Sequence, residues 1–123
     1  MEQTIWYIMI KTENEIKEIG IQVMNDIEWT YDDEKPISII QTTKEEQYER
    51  FKTFKGFEEN KHKIYDYWKL IFNFPKTDAW AHREIMILSI RDDNGEPFEI
   101  QHHQYRGKIF KNEDGKYYLE EKN

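Results

Sequence analysis

Histidines and carboxylates have the widest chemical reach in this sequence, and their spacing limits what they can do. His102 and His103 are adjacent. On a strand, neighbouring side chains point to opposite faces, so the two cannot chelate one metal together. His102 shares parity with Phe98 and Ile100 and belongs at the core or its edge, whereas His103 shares parity with Glu99 and Gln101 and belongs in solvent. His82 and Glu84 lie two apart. On a strand that spacing puts both on one face, where they could hold a metal or act as an acid–base pair. Pairs of this kind arise often by chance, so no metal site and no catalytic residue is assigned. His82, Glu84 and His102 are kept as the polar groups of an alternative, ligand-binding pocket.

Nucleophilic chemistry has little to draw on. Ser38 and Ser89 both fall inside expected strands, without the strand-turn-helix context of a hydrolase elbow. The chain has no cysteine, which excludes disulfides, thiolate nucleophiles and Cys-ligated metals. Gly20, Gly56, Gly95, Gly107 and Gly115 are scattered, so neither a phosphate-cradling loop nor a dinucleotide fingerprint is present. No cofactor is implied, and binding is better supported than catalysis.

Charge is the most localised feature. Residues 1–60 carry 14 acids and 7 bases, while residues 61–123 carry 11 of each, so the net charge of −7 belongs to the first half. Within residues 12–34 stand Glu13, Glu15, Glu18, Asp26, Glu28, Asp32, Asp33 and Glu34 against Lys17 alone. Such a field repels nucleic acid and anionic membranes and attracts basic partners, although a solvated, solubilising surface has the same composition. Trp29 and Tyr31 sit among these acids, where no core periodicity demands them. Aromatic side chains are enriched at binding hot spots, so the pair is a candidate anchor; the competing arrangement is a loop that folds back and buries both rings. The expected partner-binding set is Glu15, Glu18, Asp26, Glu28, Trp29, Tyr31, Asp32, Asp33 and Glu34. Tyr105, Arg106, Lys108, Lys111, Lys116, Tyr117 and Tyr118 place bases and aromatics together, as single-strand binders do, but Glu113, Asp114, Glu120 and Glu121 are interleaved with them. Direct nucleic-acid binding is not expected.

The elements that must position these groups follow from periodicity. Residues 4–10 read as a buried strand. Thr12 and Glu15 form a capping box, and Ile16, Ile19, Val23, Met24 and Ile27 follow at helical spacing, with Glu15, Glu18, Gln22, Asn25 and Asp26 opposite. Ile19, Ile21 and Val23 also alternate as in a strand and Gly20 weakens a helix, but helix is the better reading. Residues 28–36 form an acidic loop, and Ile37–Gln41 a short strand. Thr43 and Glu46 make a second capping box, opening a helix to about Lys55 that Gly56 ends. A further helix is expected from near Asn60, with Ile64, Tyr67, Trp68 and Ile71 as its apolar face and Pro75 as its stop. Arg83–Arg91 is apolar on both alternating faces, as a central strand is. Asp93-Asn94-Gly95-Glu96 predicts a type I′ hairpin, which pairs Ile87 with His102 and Met86 with His103. Gly107 predicts a bulge, and Asn112–Gly115 a last turn before a strand at Lys116–Leu119.

The whole, residues 1–123, reads as a single α+β domain: an antiparallel sheet with a C-terminal β-meander and two or three helices on one face. Met1-Glu2-Gln3 lacks the positive region of a signal peptide, and the longest apolar run, Ile5–Ile10, is far short of a membrane span. A cytoplasmic protein is expected, and scarce Leu and Ala beside abundant Ile, Lys, Glu and Asn point to AT-rich coding in a bacterium or phage. The functional expectation is a small acidic protein-binding module, of the immunity or anti-defence inhibitor type, that occupies a basic, nucleic-acid-binding surface of a partner protein. The alternative is a small-ligand-binding or enzymatic α+β domain with an aromatic pocket.

Overall fold

Thr12 starts the first helix in the way its spacing from Glu15 predicts. Its Oγ1 accepts the Glu15 N–H at 3.1 Å, while its own N–H donates to Glu15 Oε1 at 2.8 Å. In the computed structural model, which describes residues 11–60, 64–75, 85–102 and 105–120, helix α1 spans Glu13–Ile27. Ile16, Gly20, Val23 and Met24 form its buried stripe. Gly20, a weak helix former, is explained by approach: a Cβ there would collide with the Leu70 side chain of the sheet beneath. The strand expected at residues 4–10 lies outside the described residues.

After α1 come β1 (Ser38–Thr42), α2 (Lys44–Phe51) and α3 (Phe57–Asn60), then β2 (Tyr67–Asn73), β3 (Ile85–Arg91), β4 (Pro97–His102), β5 (Tyr105–Lys111) and β6 (Tyr117–Leu119). The six strands form one antiparallel sheet in chain order, so the fold is α+β with a C-terminal β-meander. Helix α1 lies across it, and the core forms between them: Ile16, Val23 and Met24 from the helix meet Trp68, Leu70, Phe72, Met86, Leu88, Ile90, Ile100, Ile109 and Tyr117 from the sheet. On the opposite face Ile40, Ile85, Phe110 and Tyr118 are exposed.

Helices α2 and α3 belong to the connection between β1 and β2. The capping box of Thr43 and Glu46 is present, but α2 stops at Phe51, short of Lys55. It buries no side chain, so little holds a longer helix in place. Its start is tied to the end of the sheet by Lys44 N–H to Asp66 Oδ1 at 2.7 Å and Gln47 Nε2 to the Tyr65 carbonyl at 2.7 Å.

The helix expected through Trp68 is a strand. Eight of the eleven positions from Ile64 to Phe74 are apolar or aromatic, so helical spacing can be found in the stretch, but Trp68, Leu70 and Phe72 alternate, and all three are buried. Aromatic and β-branched residues suit that pleated surface. Leu70 pairs with Leu88 and Trp68 with Ile90, which makes β3 a central strand.

Two features of the meander differ from expectation. Ile87 faces Gln101, not His102, because the turn closes from Arg91 to Glu96 and so sets Ile90 opposite Pro97; a register shift between Ser89 and Ile90 then pairs Ser89 with Glu99 and recovers one of the two positions. The extra residue is Phe98, a β-bulge, and its ring turns to Tyr65 and Tyr67 at 5.4 and 5.6 Å. His103 lies outside the described residues. The second difference is Gly107, which sits in regular pairing opposite Ile100. The Tyr105 ring occupies the space a Cβ at Gly107 would fill, so glycine serves close approach there and not a bulge.

The turn before β4 is not type I′, since Gly95 has φ +72° but Asn94 has no positive φ. Gly95 N–H instead donates to the Arg91 carbonyl at 3.0 Å and Arg91 N–H to the Glu96 carbonyl at 2.9 Å. A Cβ at Gly95 would also stand 3.1 Å from Lys11 Cε. Gly95→Val is therefore expected to cost about 1–2 kcal/mol, mostly from forcing a β-branched residue into the left-handed region, and thermal denaturation checks it.

Candidate functional site

The chain leaves α1 through a Schellman turn. Glu28 takes the left-handed conformation (φ 63°, ψ 35°), its N–H bonds back to the Asn25 and Met24 carbonyls, and Trp29 N–H donates to the Met24 carbonyl at 3.0 Å. Glycine usually fills this position. Among the described residues Glu28 is the one non-glycine with positive φ, so the turn that launches the acidic loop is held under strain.

That turn carries Trp29 back toward the sheet. Its ring lies 5.8 Å from His102 and 5.7 Å from Tyr105, with Phe74 5.7 Å from His102. Beside this cluster opens a shallow cavity of about 270 Å³, lined by Glu28, Trp29, Thr30, Phe74, Pro75, Met86 and His102. Tyr31 goes the other way and packs edge-on against Phe72 at 4.8 Å. The two aromatic rings of the loop are thus half-buried against the core rather than presented together to solvent.

The acids divide by role. Glu15 caps α1, and the Thr12 N–H holds its carboxyl below the usual carboxylate range. Asp26 is half-buried, and its Oδ2 accepts the Tyr117 N–H at 3.0 Å, tying the end of α1 to β6. Asp32 is buried: its N–H donates to the Asn73 carbonyl at 2.9 Å, and its Oδ1 accepts the Glu34 N–H at 3.0 Å. Its Oδ2 is buried with no hydrogen-bond partner among the described residues. Glu18, Glu28, Asp33 and Glu34 are exposed, as is Glu13. A charge-reversal series separates these roles. Asp32→Lys is expected to destabilise by about 2–4 kcal/mol, since it forces a long cation into a buried site, whereas Asp33→Lys and Glu34→Lys should each stay within about 0.5 kcal/mol in denaturant titrations.

Of the alternative-pocket residues, His102 lines the cavity, while His82 and Glu84 lie outside the described residues. The walls that sequence reasoning missed are Phe74, Pro75 and Met86. Phe74 follows Phe72 at strand spacing, a signal hidden by reading this stretch as a helix. The basic and aromatic residues of the last hairpin do not form one surface. Tyr105, Gly107 and Ile109 alternate with Arg106, Lys108 and Phe110, and Tyr117 is buried in the core while Tyr118 is exposed. Among the described residues no group of three or more His, Asp or Glu side chains is placed to hold a metal ion, and no helix is long and apolar enough to cross a membrane. No protein-family model, curated protein or solved structure matches this chain, so its functional reading rests on its own geometry.

Proposed function

We propose that the protein is a small acidic protein-binding module, of the immunity or anti-defence inhibitor type, whose partner is a basic protein that it engages on a nucleic-acid-binding surface. The observation that carries this reading is the division of the acids. Glu13, Glu18, Glu28, Asp33 and Glu34 are exposed on α1 and the loop that follows it, and Lys17 is the one base in residues 12–34. Glu18 and Glu28 stand ten residues apart, about 15 Å along a helix, which is the scale of a protein contact and not of a single ion site. Charges so placed contribute association rate and specificity; contact energy comes from desolvated side chains, and the rim of the Trp29 cavity supplies those. Asp32, Asp26 and Glu15 take structural roles in this scheme, and Tyr31 supports the loop.

The test is affinity capture from the native host with the wild type and with Glu18→Lys/Asp33→Lys/Glu34→Lys, followed by mass spectrometry. A basic protein retained by the wild type, and lost by the variant or in high salt, is the expected result. The same partners held by both proteins would remove the acidic surface from the function.

One observation favours a second reading. His102, Trp29 and Phe74 bound a real cavity, as a small-ligand site requires. At about 270 Å³ it is smaller than the roughly 300–1,000 Å³ of most small-molecule sites and is open on one side, which suits an inserted side chain better than an enclosed ligand.

A further inference from the structure

We infer that the cavity beside Trp29 is a receptor for a single guanidinium group, an arginine side chain presented by the basic partner; the inference rests on the protein-binding reading above and identifies its anchor. Three observations converge on it. The walls are aromatic on one side, with Trp29 and Phe74 each in contact with His102, and π faces attract cations, indole most strongly. An acid stands at the rim: Glu28 lines the cavity, is itself exposed, and is fixed there by the left-handed turn that ends α1. Met86 and Pro75 add apolar surface to the lining, which suits the methylene stem of a long cationic side chain.

The ring separations define the pose. At 5.7–5.8 Å between centroids, the rings leave no gap for another planar group between them. A guanidinium therefore lies across the exposed ring surface inside the cavity, with Glu28 accepting its N–H donors. Arginine fits better than lysine because its flat, weakly hydrated head stacks on a ring while its edge still donates to a carboxylate. A neutral ligand of the same shape would use the stacking and forfeit the attraction to Glu28 and to the ring faces.

The test needs no partner. N-acetyl-arginine amide and N-acetyl-citrulline amide, which differ in charge but hardly in shape, are titrated into isotope-labelled protein, with the Trp29 indole N–H and the Met86 methyl group as reporters. The arginine amide is expected to give a weak but saturable shift at both, and the citrulline amide a much smaller one. Glu28→Gln, which keeps the fold and the rings, should weaken the arginine amide about two- to fivefold, the worth of one exposed ion pair. Trp29→Ala, read at Met86, should weaken it roughly tenfold, and Trp29→Phe less, which separates loss of the ring face from loss of folding. Equal response to citrulline would overturn the inference and mark a pocket for neutral ligands. A third arm uses a heptapeptide of alternating glycine and arginine. If it moves the amides of Glu18, Asp33 and Glu34 but leaves Trp29 and Met86 unmoved, the guanidinium site is wrong while the acidic-surface reading stands. If it moves neither set, both fail together.

Discussion

Trp68→Ala is expected to lower the unfolding free energy by about 3–5 kcal/mol, the largest single-residue effect on stability anticipated in this chain. Trp68 is 1% exposed and belongs to the cluster that joins α1 to the sheet. Its loss leaves a cavity that neighbouring strands, locked in register on both sides, cannot collapse to fill. A polar consequence adds to the volume. The indole N–H donates to Asp92 Oδ1 at 2.9 Å, and Asp92 is a carboxylate only 1% exposed. The same oxygen accepts the Lys11 N–H at 2.8 Å, so one buried carboxyl group holds the entrance of α1 and the core tryptophan together. Trp68→Ala also removes one of the hydrogen bonds to that buried group. Trp68→Phe keeps a six-membered ring but deletes the donor and part of the indole volume, with an expected cost of about 1–3 kcal/mol. A double-mutant cycle with Asp92→Ala in urea titrations should return a coupling of roughly 0.5–3 kcal/mol. No coupling would mean that the indole and the carboxylate do not meet in solution.

Reversing Glu18, Asp33 and Glu34 together is expected to slow association with the basic partner by tenfold or more at low salt, because steering by a one-signed surface is worth roughly 10–10³ in rate. The effect should shrink as salt rises, since exposed charges are screened once the Debye length falls to a few ångströms. Each of the three positions is exposed, so thermal stability should move little, which distinguishes a lost interaction from a lost fold. Asp32 is left out of the set for the opposite reason, since a change at this buried residue would report folding.

The legible parts of the fold are those with local causes. Both capping boxes could be read from a Thr and a Glu three residues on, because the bonds that make them lie within one turn. The stripe of α1 could be read once its rival strand alternation was set aside, and β3 from a short run that is apolar on both faces. What stayed hidden depends on partners distant in sequence. From Ile64 to Phe74 the apolar content satisfies both periods, and only the neighbours β1 and β3, which pair with it residue by residue, decide for a strand. The bulge at Phe98 leaves no local mark, yet it changes the partner of every residue beyond it in β4. The site shows the same split. Exposure of Glu18, Asp33 and Glu34 follows from a polar helix face and a loop, whereas burial of Asp32 follows from its bond to Asn73, on the strand misread as helix. The meeting of Trp29 with His102 joins two residues that the sequence assigns to competing functions, and no spacing rule brings them together.

The most direct test of the central claim is an amide-shift map of the labelled protein bound to the basic partner recovered from the host. The account predicts movement at Glu18, Glu28, Asp33 and Glu34, extending to Trp29, with Ile40, Ile85, Phe110 and Tyr118 on the opposite sheet face unmoved. Movement confined to that open face, with the acidic residues silent, would contradict it.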